Sequence, residues 1–151
     1  QYDVRATPLQ MAMVAAAIAN GGVEMKPYLV DELVGPDLRI IDQTKPTELR
    51  RSVSPEVAAE LTQMMESVVQ HGTGTSAQIK GVTVAGKTGT AQNAVGAAPH
   101  AWFVAFAPAV QPTIAIAVLV ENGGGNNDAT GGAVAAPIAK AVIQAELKKQ
   151  P

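Results

Sequence analysis

The chain contains no cysteine. That excludes a disulfide framework, thiolate zinc sites and a cysteine nucleophile. It leaves the compartment open, because chains from oxidising and reducing surroundings alike can lack the residue. Aromatic residues make up only 3% of the chain against a hydrophobic share of 47%. Alanine, valine, isoleucine, leucine and methionine must therefore fill the interior. Basic runs are missing too. The net charge is −2, and phosphate binding needs clustered Lys and Arg, so nucleic acid is not expected as a partner. The longest apolar run, Met11 to Ala19, falls far short of the roughly 20 residues that span a bilayer. Thr7-Pro8 leads into it as into a folded helix, not as the basic start of a signal peptide. A membrane anchor, if the protein has one, is expected outside this segment.

What is present suits one domain or a large piece of one, at 151 residues. Thr7-Pro8-Leu9-Gln10 has the form of a capping box with proline at the first helical position. It predicts a helix through Ala19, closed by Asn20-Gly21-Gly22. Beyond Gln10 this helix has no polar face, as befits the interior of something larger. Residues 26–53 read as short strands, Pro27-Tyr28-Leu29-Val30, Arg39-Ile40-Ile41 and Glu48-Leu49-Arg50, parted by turn residues. Ser54-Pro55-Glu56 opens a second helix, with Val57, Leu61, Met64, Met65 and Val68 at helical spacing. Three strands follow, over 82–90, 101–106 and 113–120. The link from Pro108 to Pro112 is too short for a crossover, so the last two should be antiparallel neighbours. The third is apolar on both faces and needs helices above and below. A glycine-rich loop from Glu121 to Asn127 is expected to be flexible. A last helix is expected over about 132–149, with Val134, Ile138, Ala141, Val142 and Ala145 inward. The fold class is thus α+β, an antiparallel sheet with helices on both faces.

The chemistry concentrates in Lys87-Thr88-Gly89-Thr90, at the end of an apolar strand. Strand alternation puts Thr88 and Thr90 on one side and Lys87 on the other. Gly89 lets a ligand backbone lie close. A free strand edge here can pair with an extended peptide. A backbone N–H near Thr90 can then stabilise an oxyanion, while the hydroxyls and the Lys87 ammonium hold a terminal carboxylate. Lys-Thr-Gly alone also fits an ordinary strand with an exposed lysine. The stretch Gly81 to Thr88 matches the phosphate-loop pattern as well. A phosphate loop, however, needs a strand before its first glycine and a helix from the lysine. Polar residues precede Gly81, and Thr88-Gly89-Thr90 with Asn93, Gly96 and Pro99 follow, so nucleotide binding is a remote alternative.

These residues resemble the penicillin-binding protein transpeptidases, in the serine acyltransferase group that includes β-lactamases. That family carries Ser-x-x-Lys, Ser-x-Asn and Lys-Thr-Gly in this order. Only the third occurs here, at Lys87-Thr88-Gly89. Ala6-Thr7-Pro8-Leu9-Gln10-Met11-Ala12 with Ala17-Ile18-Ala19-Asn20-Gly21-Gly22 looks like the helix after the second motif in class B members. His71-Gly72-Thr73-Gly74-Thr75 and the stretch from Ala101 to Pro108 are similar to those flanking the third. The combination looks most like the actinobacterial, division-associated type. The resemblance implies a serine D,D-transpeptidase that acts on D-Ala-D-Ala stem peptides and is acylated by β-lactams. It implies that Lys87, Thr88, Gly89 and Thr90 bind substrate, that Lys87 serves catalysis, and that the Thr90 N–H is half of an oxyanion hole. No cofactor or metal is implied. The family is anchored outside the cytoplasmic membrane. Residues 1–151 are expected to be the C-terminal part of the transpeptidase domain and inactive alone. Their partner would be the preceding half of the same domain, carrying Ser-x-x-Lys and Ser-x-Asn. A non-catalytic sensor of peptides or penicillins with the same fold is the alternative.

The remaining polar and aromatic residues invite simpler readings. His71 and His100 stand alone in sequence and are expected in loop or surface roles. Trp102 is expected in the core or as a groove wall, and Met64 and Met65 as helix-face filler. Asp128 is placed to cap the last helix.

Overall fold

The computed structural model describes residues 4–93, 95–125 and 129–149. Helix α1 (Pro8–Ala19) starts with both halves of its capping box formed. Thr7 Oγ1 accepts from the Gln10 N–H at 3.2 Å, and Gln10 Oε1 accepts from the Thr7 N–H at 2.8 Å. It ends at Asn20, after which Gly21 and Gly22 take φ of +60° and +88° and reverse the chain. Ala15 and Ala17 are buried, while Leu9 and Val14 on the same helix are exposed.

Two small antiparallel pairs follow: β1 (Val23–Met25) with β4 (Glu48–Arg51), and β2 (Glu32–Val34) with β3 (Ile40–Gln43). Residues 27–30, expected as a strand, are not one. Pro27 cannot donate to a ladder, and the Val30 carbonyl instead accepts from the Thr44 hydroxyl at 2.5 Å. The strand expected from Arg39 begins at Ile40, because the Arg39 N–H turns back to Asp37 Oδ1. Every residue of β2, β3 and β4 is exposed.

Helix α2 (Pro55–Gln70) is capped by Ser54, whose Oγ accepts from the Val57 N–H at 3.3 Å. Its inward face differs from the expected one. Ala58, Met65 and Val69 are buried, whereas Val57 and Met64 are exposed. Large apolar residues lie on two neighbouring stripes of this helix, and the stripe carrying the small Ala58 packs inward. Met65 is filler, as expected; Met64 is not.

The main sheet joins β5 (Ala85–Ala91), β6 (His100–Ala107) and β7 (Ile114–Val120) in that order, antiparallel throughout. It has helices on both faces. On one, Phe106 and Ala85 meet Met65 of α2 and Ile18 and Ala19 of α1. On the other, Phe103, Ala105, Ala107 and Val118 meet Ala135, Ala136, Ala139 and Ile143. This is the expected α+β arrangement, and the apolar β7 lies between α1 and the last helix. β5 begins three residues later than expected: Gly81, at φ +81°, turns the chain through a single Ile79–Val82 bridge, and the Thr83 carbonyl accepts from the Ala109 N–H at 2.8 Å.

Glu121–Gly125 forms a tight turn rather than an open loop, with Asn122, Gly123 and Gly124 all left-handed. Asn126, Asn127 and Asp128, including the expected cap, lie outside the described residues. The last helix opens with a π-helical turn, Gly131–Ala135, and continues as α3 (Ala136–Leu147). Its inward residues are Ala135, Ala136, Ala139 and Ile143, not the expected set. Ile138 and Val142 are exposed. A π turn carries more residues per turn than an α turn, so it rotates everything after it away from a simple helical count.

Candidate functional site

The site is built on β5. Its pairing sets Lys87 opposite Val104, Thr88 opposite Phe103, Gly89 opposite Trp102 and Thr90 opposite Ala101. Directly paired residues share a face, so Lys87 lies with Trp102 and Val104 on the α1 side. Thr88 and Thr90 lie with Phe103 and Ala101 on the α3 side. The side-to-side division expected from alternation is present. Among the described residues β5 pairs only with β6, leaving its other edge without a strand. Helix α2 packs against the start of β5, with Val69 beside Gly86 and Met65 in one cluster with Ala85.

The phosphate-loop alternative fails on this geometry. Lys87, where a helix would have to begin, sits inside a seven-residue strand.

A cavity of about 270 Å³ brings Lys87, Thr88 and Gly89 together with Val4, Ala6, Met11, Trp102 and Val104. Lys87 is the one charged side chain in that lining. Thr90 does not border the cavity and stays exposed further along β5. Trp102 is half-buried and forms the cavity's wall, as expected. The Lys87 ammonium curls back and donates to the Thr88 carbonyl at 2.8 Å. Gly89 has a packing reason to be bare as well: a Cβ there would lie 3.1 Å from Trp102 Cβ. The glycine thus brings the indole stem against the strand beside Lys87.

Two features of the site escaped the sequence reading. Thr73, in the loop after α2, places its hydroxyl 2.7 Å from that of Thr88. The Gly-Thr-Gly-Thr run was visible, but nothing in it pointed to a side-chain contact with β5. The second is Gly131-Gly132, which seats the first turn of the last helix directly on β5, β6 and the Thr73 loop. Two adjacent glycines at a helix start were the available signal.

The histidines take separate places. His71 caps the exposed end of α2. His100 ties two loops together: its Nδ1 accepts from the Asn122 N–H at 2.9 Å, and Asn93 lies 3.0 Å from its Nε2. Asn93 also bonds Asn122. The network steadies the β5–β6 connection just beyond the motif strand.

Comparison with known proteins fits this arrangement. Residues 2–144 match the family described as penicillin binding protein transpeptidase domain. Peptidoglycan D,D-transpeptidase PbpA of Mycolicibacterium smegmatis is 53% identical over 152 residues, covering 99% of this chain and 31% of that protein. The structure of penicillin-binding protein A from Mycobacterium tuberculosis as its ceftriaxone acyl-enzyme complex superposes with a TM-score of 0.91. Its identity is 52%, over 96% of this chain and 33% of that one. Penicillin-binding protein 3 from the same species, complexed with aztreonam, superposes at 0.80 with 31% identity, over 96% of this chain and 35% of that one. This chain spans about a third of the length of the relatives it matches. A family match across nearly the whole chain and a shared three-dimensional arrangement at this identity leave one assignment: the chain belongs to the penicillin-binding protein transpeptidase family.

Proposed function

We propose that residues 1–151 form the C-terminal, Lys-Thr-Gly-bearing part of the transpeptidase domain of a peptidoglycan D,D-transpeptidase. The full protein cross-links stem peptides through a serine acyl-enzyme, is acylated by β-lactams, and works outside the cytoplasmic membrane to which it is attached. A role in division or cell shape follows from the same reading. The nucleophilic serine and its lysine belong to the preceding half of the domain, since neither Ser-x-x-Lys nor Ser-x-Asn occurs in this chain.

One observation carries the reading: the bond from Lys87 Nζ to the Thr88 carbonyl. A carbonyl reached by a side chain in this way points off the open edge of β5 instead of into β6. Both backbone groups of a residue in an antiparallel ladder face the same side, and the side alternates along the strand. Thr90, two residues on, therefore turns its N–H to the same open edge. A stem peptide ending in D-Ala-D-Ala can lie along that edge. Its terminal carboxylate meets the hydroxyls of Thr88 and Thr90 in the field of Lys87. The scissile carbonyl sits by the Thr90 N–H, which stabilises the oxyanion as the serine Oγ adds. Collapse of the tetrahedral intermediate breaks the peptide bond and releases D-Ala with the transferred proton. An amine from a neighbouring strand then takes the acyl group and regenerates the serine.

The test is acylation of the full-length protein by labelled penicillin, with turnover of a D-Ala-D-Ala thioester. Lys87→Ala should slow acylation on the order of a hundredfold, the cost typical of losing one electrostatic stabiliser. Unchanged acylation in that variant would overturn the assignment of Lys87.

A further inference from the structure

We infer that Gly131 is a positioning residue for the Gly89–Thr90 peptide, acting as a backstop against the motif strand. The inference rests on the proposed role of the Thr90 N–H. A Cβ built at Gly131 would lie 2.0 Å from the Trp102 carbonyl oxygen, 2.7 Å from that of Gly89 and 2.9 Å from the Gly89 nitrogen. All three atoms are backbone, so none can swing aside as a side-chain tip could. Gly131 itself is buried. It rests on the ladder where Gly89 and Trp102 pair, on the α3 face, between the rows of Thr88 and Thr90. Gly132 makes the companion contact: its Cβ would lie 2.2 Å from the Thr73 carbonyl oxygen. Thr73 in turn holds the Thr88 hydroxyl. The first turn of the last helix thereby bears on both sides of the motif, on the Gly89 backbone directly and on Thr88 through Thr73.

The consequence is mechanical. β5 lacks a second ladder partner among the described residues, so one flank of its backbone is not held by pairing. The Gly89 carbonyl of this peptide faces β6, and the contact from behind adds a second restraint on rotation of the Gly89–Thr90 peptide plane. An oxyanion donor acts only when its N–H points at the position the developing charge will occupy. The helix turn that supplies this support is itself held by Thr130, whose Oγ1 accepts from the Ala133 N–H at 3.3 Å.

The experiment uses the full-length protein and separates the penicillin dissociation constant from the acylation rate constant at saturation. Amide hydrogen exchange at Gly89 and Thr90 is followed in parallel. Gly131→Ala should lower the acylation rate constant about tenfold or more, a fraction of the loss on deleting an oxyanion donor. The dissociation constant should change little, and the Thr90 amide should exchange faster. Thr130→Val loosens the same turn without adding bulk and should act in the same direction, by a few-fold. Ile143→Ala, at the far end of the last helix, should lower the melting temperature at least as much yet leave acylation per folded molecule unchanged. A folded Gly131→Ala protein that acylates within about twofold of the parent would overturn the inference. If that variant is not recovered folded, equal acylation by Thr130→Val and Ile143→Ala would overturn it. A parent protein that takes no penicillin at all would sink the functional proposal instead, while the exchange of the Thr90 amide would still decide the backstop.

Discussion

At the scale of single residues, the site depends on short polar contacts at an exposed strand. The hydroxyl pair Thr73–Thr88, at 2.7 Å, takes up one of the Thr88 hydroxyl's hydrogen-bonding directions and orients the others toward a ligand. Thr73→Val should release that restraint. A neutral hydrogen bond contributes about 0.5–1.5 kcal/mol. Penicillin affinity before acylation should therefore weaken several-fold, with a smaller change in the acylation rate constant; stopped-flow acylation of the full-length protein resolves the two. A second prediction concerns Glu56, in the first turn of α2. The hydrogen bond with Ser54 is the main influence holding its carboxyl below the ordinary range; its own backbone N–H and the Arg51 charge add to this, against a desolvation effect of opposite sign. A carboxyl depressed in the folded state adds stability above its unfolded value, and that increment is lost as pH falls through the folded value. Ser54→Ala should cost about 1 kcal/mol through loss of the helix cap. It should also move the Glu56 titration upward and weaken the acid-side fall in stability. NMR titration of Glu56 and denaturation across acidic pH would show both.

At the scale of elements, the core works through small residues that let large ones in. Phe103, Phe106 and Ile143 are the largest side chains buried completely, and alanines surround them. A Cβ at Gly86 would sit 2.5 Å from Phe103 Cζ, so the ring occupies the space over β5 that a side chain would take. Ile143→Ala removes the apolar anchor of α3 from this cluster. It should destabilise the protein by about 2–5 kcal/mol, measured by chemical denaturation; a loss under about 1 kcal/mol would show that α3 adds little to the core. The helix positions also show where sequence periodicity stops helping. Both ends of α1 and the start of α2 were readable, because caps act through residues adjacent in the chain. The inward faces of α2 and α3 were not. Val57 and Met64 had the right spacing but lie on the outer stripe, and the π turn at Gly131–Ala135 shifted the phase of everything after it.

At the scale of the whole molecule, the proposal above gives the chain one part of a reaction. The motif strand has its cation, its hydroxyls and its open edge, but no serine of the chain has the acylating motif's lysine three residues on. The 151-residue chain should therefore take no covalent label from a fluorescent penicillin, while the full-length protein labels at a single serine outside it. Denaturing gel fluorescence with mass mapping of the labelled peptide reads both results. Covalent label on Ser52, Ser54, Ser67 or Ser76 of the isolated chain would contradict the division of labour proposed above.

The sequence by itself determined the helices, the strands of the main sheet and the motif, but not the short strands between α1 and α2. Caps, turns, alternation and Lys-Thr-Gly act over a few residues, and local chemistry sets them whatever the rest of the chain does. It also determined the family, through several short stretches in a fixed order. Only the tertiary structure decided which helix faces turn inward, that Thr73 reaches Thr88, and that Gly131 leans on the Gly89 backbone. Those contacts join residues far apart in the chain, and close packing between whole elements, rather than any local preference, selects them.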